Sequence, residues 1–182
     1  MKREQLPYVA VFAALVALCV VARIAPHAPN FTPLAAAALF AGFYFRRVWV
    51  AAAVPLTAML IGDSIIGGYT PGVMLTVYAA MLAPLAWRRW LRGRLSPARV
   101  GAAALAGSGV FFLSTNFAHW AFTRMFEPTL AGLGQCYAAA LPFLKYTIAG
   151  DLVWSGVIFG IYATATALAP RLRSASSVPA CG

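Results

Sequence analysis

Long apolar runs, separated by short polar or basic joints, recur along the whole chain. A helix needs roughly 20 mostly apolar residues to cross the hydrocarbon core of a bilayer. Pro7–Ala25, Val48–Ile66, Thr70–Trp87 and Ala98–Phe117 have that length, Tyr146–Ala169 is the longest, and Phe31–Phe45 is somewhat short. A further segment, Pro128–Leu144, is apolar but interrupted by Gly132, Gly134, Gln135 and Pro142. It reads as a helix lying at the interface or re-entering the bundle, with a seventh span as the alternative. The pattern thus predicts an all-α, polytopic membrane helix bundle: six transmembrane helices plus one interfacial or re-entrant helix. One bundle occupies residues 1–170, and residues 171–182 form a short polar tail.

Composition narrows the class. The 182 residues are 62% hydrophobic and 10% charged, and mean hydropathy is +0.80. A soluble domain is about 45–50% apolar and about 25% charged, so this chain has too little polar surface to face water on all sides. Disorder is excluded on the same ground.

The net charge of +10 would suggest phosphate binding in a soluble protein. Here the cations fall in the joints between apolar runs, where they act as topology signals. Placing the N-terminus inside puts Lys2, Arg3, Arg46, Arg47, Arg88, Arg89, Arg92, Arg94, Arg99, Arg171 and Arg173 on the cytoplasmic side. Only Arg23, Arg124 and Lys145 then lie outside. The expected arrangement is N-in and C-in in a bacterial inner membrane, with no nucleic-acid partner. The first run has the basic start of a secretory signal, but five more spans follow it, so it is read as a retained span.

This orientation sorts the polar residues. The cytoplasmic side is nearly all arginine, whereas the outer side collects amides, imidazoles, aromatics and three of the four acids. One-sided polarity of this kind points to a pocket rather than a pore. The candidate substrate-binding residues are Asn30, Asp63, Asn116, His119, Trp120, Gln135, Tyr137 and Asp151. Asn116, His119 and Trp120 fall at helical spacing on one face. Asp63 and Asp151 stand inside apolar runs, where a charge costs about 2–3 kcal/mol unless it is paired or hydrated. Ion pairs with Arg23 or Lys145 are the structural alternative for both. In the joint Pro26–Pro33, Thr32 and Pro33 suit the cap and first position of the next helix.

Other chemistries are thinly represented. Neither His27 and His119 nor Cys19, Cys136 and Cys181 show metal-ligand spacing. No nucleophile elbow or phosphate-binding loop occurs. The chain is therefore expected to be neither an enzyme nor an ATPase, and to hold no metal or cofactor. An active centre would have to draw on Asp63, His119 and Asp151. Along the first span, Ala10, Ala14 and Ala17 form a smooth face that would let a partner helix approach closely in lipid.

The runs Arg23–Pro33, Thr115–Trp120, Thr129–Phe143 and Gly150–Leu152 resemble an uncharacterised bacterial family of membrane transport proteins, over residues 7–165. In size, span number and smooth first helix the chain is similar, more loosely, to the S components of energy-coupling-factor transporters. That resemblance implies capture of a vitamin or other micronutrient at the outer face. It also implies a membrane coupling subunit docked on the first helix and ATPases that supply the energy. The alternative is a structural or assembly protein that holds partner helices through its small-residue faces.

Overall fold

The computed structural model describes residues 6–175, with side chains from Tyr8 to Leu168. Lys2, Arg3 and Glu4, and Cys181 in the tail, lie outside the described residues. The chain forms α1 (Leu6–Ile24), α2 (Leu34–Tyr44), α3 (Val48–Ile66), α4 (Pro71–Leu82), α5 (Arg88–Gly93), α6 (Pro97–Phe122) and α7 (Leu130–Ala175). A 3-10 turn, Ala83–Trp87, joins α4 to α5. It begins beside Pro84, whose missing N–H cannot continue an α-helical ladder. Among the described residues the protein is all-helical, and three helices, Val48–Ile66, Pro97–Phe122 and Leu130–Leu168, are long and apolar enough to cross a membrane.

Two ends can be told apart. The arginine end carries Arg46, Arg47 and Arg88–Arg94; the polar end carries the joint 25–33 and the 67–70 and 123–129 connections. Helix α2 is the centre of the core. Eight of its eleven residues are buried, and it packs between α3, α7 and the 3-10 turn. Alanines at 36, 37, 38 and 41 let neighbouring backbones come close. At the arginine end Phe40 and Phe43 pack on Phe159 and Tyr162, with ring centroids 5.2–5.6 Å apart.

Three sequence expectations change. First, the segment 128–144 is not a separate interfacial or re-entrant helix. It is the first part of α7, which runs 46 residues without a break to Ala175, about 69 Å at 1.5 Å per residue. Gly132, Gly134 and Pro142 lower the helix propensity here, but packing on α6 overrides it. Tyr137 Oη donates to the Leu113 carbonyl (2.7 Å) and Cys136 Sγ to the Asn116 carbonyl (3.4 Å). Second, the run Thr70–Trp87 is not one α-helix: α4 ends at Leu82 and the 3-10 turn Ala83–Trp87 follows, where Pro84 cannot continue the ladder. Third, the second apolar run begins its helix only at Leu34, so α2 has 11 residues and a length of about 16 Å. That is half of a bilayer core.

The reason lies in the joint 25–33. Asn30 has a left-handed backbone, φ +60°, which Asn tolerates better than most residues. Tight turns follow, with Phe31 N–H donating to Ala28 O and Thr32 N–H to Asn30 O, both 3.0 Å. The joint then folds back into the bundle against α7. Gly150 makes this possible: a Cβ there would sit 3.0 Å from Phe31 Cα and 3.4 Å from Asn30 O. Helix α2 therefore starts at the level of Asp151, midway along α7, beside Gly107 and Ser155.

Candidate functional site

The two ends of α2 are treated differently. At its C-terminus, Arg92 donates through Nε to Phe43 O (2.8 Å) and through Nη2 to Gly42 O (2.7 Å) and Phe45 O. One guanidinium thus satisfies carbonyls that a helix end leaves open. At the N-terminus the expected Thr32 cap is not made. The cap position is Pro33, and no side chain accepts from the first amides. The positive end of the helix dipole is consequently left facing the interior of the bundle.

Two adjoining cavities open from that point. The first, about 110 Å³, is bordered by Arg23, His27, Asn30, Thr32, Thr147 and Asp151, with Met59, Met81 and Phe111 as its carbon walls. The second, about 210 Å³, is bordered by Asn30, Phe111, Thr115, Asn116, His119 and Thr147. Asn30, Phe111 and Thr147 belong to both. A larger groove of about 480 Å³ lies at the arginine end between α1 and α3, but Tyr8, Phe12, Phe45 and Val50 make it apolar, with Arg46 and Arg47 beside it.

The two acids in apolar runs have different fates. Asp63 is buried and forms an ion pair with Arg23, while Tyr78 Oη donates to its Oδ2 (2.9 Å). Gly62 permits this arrangement, because a Cβ at that position would collide with Arg23 Cδ. Beside the pair, the Tyr69 phenol is pushed above its ordinary value, first by burial and then by the Asp63 charge. It therefore stays protonated, a neutral hydroxyl. Asp151 is 4% exposed. Its Oδ2 accepts from Ser108 Oγ (2.6 Å), and no lysine or arginine among the described residues pairs with it. Lys145 instead lies over the Tyr146 ring, 4.9 Å from its centroid.

Of the eight candidates, Asn30, Asn116, His119 and Asp151 border the cavities. Asn116 Nδ2 donates to Phe112 O (2.7 Å), which leaves its side-chain oxygen unused. His119 Nε2 lies 3.5 Å from Met125 Sδ. Asp63 sits behind Arg23. Trp120, Gln135 and Tyr137 do not border either cavity. The Trp120 indole donates to Glu127 O (2.9 Å) and ties the end of α6 to the following connection. Tyr137 joins α7 to α6, and Gln135 is exposed. Asp63, His119 and Asp151 do not share one cavity. No group of three or more potential metal ligands occurs among the described residues.

Ser108 and Thr147 were not legible as site residues. Thr147 stands four residues before Asp151 on the same helix, a spacing that shares a face and could have drawn attention to it. Ser108 reads in the sequence as one more small packing residue. On α1, Leu15 and Cys19 are buried, whereas Ala10, Ala14 and Ala17 face outward.

These features define a class: an all-α protein with helices of membrane-crossing length, wrapped around a half-length central helix whose uncapped start adjoins a polar cavity. Residues 3–172 match a family of unknown function, DUF6580, and the chain belongs to that family. No curated protein and no solved structure matches the chain.

Proposed function

We propose that this protein is a multi-pass inner-membrane component that captures a small polar solute at its outer face for uptake. The observation that carries the reading is the pair of adjoining cavities that share Asn30 and Thr147, with buried Asp151 bordering the first of them. Apolar walls with a few convergent polar groups are the usual make-up of a small-molecule site. A broken segment that starts a half-helix beside such a site recurs in solute carriers. The excess of arginines at the opposite end supports a cytoplasmic orientation for that end. The polar cavity then faces outward. Energy would come from partners, a membrane coupling subunit and its ATPases, in the manner of the S components of energy-coupling-factor transporters. The solute class favoured by that likeness is a vitamin or similar micronutrient.

The test is a thermal-shift screen of purified protein in detergent against vitamins, nucleobases and other micronutrients. A ligand at a hundredfold excess over Kd stabilises the folded state by about 2.7 kcal/mol. The expected result is a hit that Asn116→Ala or His119→Ala weakens, with matching loss of uptake in cells at normal expression. Unchanged uptake in both variants and in Asp151→Asn would overturn the reading.

A second reading, a membrane protein that holds partner helices, draws on the outward face of Ala10, Ala14 and Ala17. It expects Ala14→Leu to abolish co-purification of a partner while cavity variants leave it intact.

A further inference from the structure

We propose that the cavity at the start of α2 takes a small organic amine in its protonated form, held by Asp151, with an oxygen acceptor on the same molecule directed toward Arg23 and the α2 amides. This rests on the reading of the two cavities as a solute site and names the chemistry they select.

The inference begins with charge. Summed over the sequence, the polar end looks balanced, with cations and acids cancelling. The structure removes Arg23 and Asp63 from that sum together, because they pair and Tyr78 occupies the second Asp63 oxygen. Arg124, Glu127 and Lys145 are exposed. What remains is one buried carboxylate, Asp151, with a single hydroxyl donor from Ser108. An ionised carboxylate can accept about four hydrogen bonds, and leaving it buried without a cation is costly. The dipole end of α2 offsets about half a unit charge, less than the full charge of the carboxylate. The cavity therefore keeps a negative balance that a monocation relieves.

The walls select among cations. A bare alkali ion needs oxygen ligands on all sides, whereas Met59, Val77, Met81 and Phe111 give one side of this cavity a carbon wall, opposite in character to its polar residues Arg23, His27, Asn30, Thr32, Thr147 and Asp151. An ammonium on a short carbon frame fits both surfaces: its N–H groups reach the carboxylate and its methylenes meet the carbon walls. Donors are also at hand: Arg23 borders this cavity, and the α2 amides have no side-chain cap. An oxygen attached near the ammonium supplies the missing acceptor. The second cavity, with the Asn116 oxygen and His119, extends the site for a larger polar remainder.

The test compares three probes of similar size on the purified full-length protein in detergent, by calorimetric titration: ethanolamine hydrochloride, ethylene glycol and sodium glycolate, each at matched ionic strength in potassium chloride. The expected order places ethanolamine first. Asp151→Asn should raise its Kd by about thirtyfold or more, the scale for removing one partner of a buried charge pair, and leave ethylene glycol unchanged. The wild-type order decides the matter by itself if the variant fails to fold. Glycolate or ethylene glycol binding as well as ethanolamine would overturn the amine assignment while leaving the solute site intact. Stabilisation by sodium or potassium chloride alone, lost in Asp151→Asn, would replace it with an inorganic cation. Failure of all three probes, together with normal uptake in Asn116→Ala and His119→Ala cells, would remove the solute site itself.

Discussion

The missing Cβ at Gly150 shapes the candidate cavity. The joint 25–33 can reach the middle of α7 only because no Cβ stands between Gly150 and Phe31. Gly150→Ala should cost about 1–3 kcal/mol through overpacking, seen as a lower Tm in detergent, and should abolish probe binding by displacing Asn30. Gly160→Ala on the same helix meets nothing within 4 Å, and replacing glycine by alanine favours a helix. It should leave Tm unchanged or slightly raised. Equal losses in both variants would mean that the joint is not seated on α7. In the sequence Gly150 reads as one small residue before Asp151, because the close approach involves a segment more than a hundred residues away. The Asp63–Arg23 pair was legible as one of two alternatives, since both residues stand near the polar ends of apolar runs. The equivalent pair between Asp151 and Lys145 is not formed.

At the scale of elements, α2 and α7 depart furthest from what periodicity suggests. One is shorter than its apolar run and the other nearly twice as long. Asn30, with positive φ, and Pro33, at the cap, set the start of α2, and Arg92 closes its end. The sequence reading of Arg92 as a topology signal missed this second role, which depends on three carbonyls from another helix. Continuity of α7 can be measured directly. In a background without native cysteines, spin labels at Gln135→Cys and Ile161→Cys are 26 residues apart, which corresponds to about 39 Å along an unbroken helix. A separate segment turned flat at residue 144 would bring them to about 29 Å. Electron–electron dipolar spectroscopy resolves that difference, and the longer distance is expected.

For the whole molecule, charge distribution governs orientation. Gly68 and Gly93 lie at opposite ends of the bundle, and both open onto free space. In intact spheroplasts a membrane-impermeant maleimide should label Gly68→Cys and spare Gly93→Cys until the membrane is opened; the reverse pattern would invert the topology. By itself the sequence determined the all-helical class, the presence of segments long and apolar enough to cross a membrane and the segregation of arginines from the mixed polar residues. These follow from composition and local periodicity, which one chain segment carries alone. It also marked Asn30, Asn116, His119 and Asp151, because polar residues in or beside apolar runs stand out against lipid. Only the tertiary structure decided that Asn30 and Asn116 border a common cavity, that Arg23 neutralises Asp63 and leaves Asp151 unpaired, and that the interrupted segment joins α7. Each of these depends on the relative depth of helices distant in sequence, which is set by packing between them rather than by the residues of either helix.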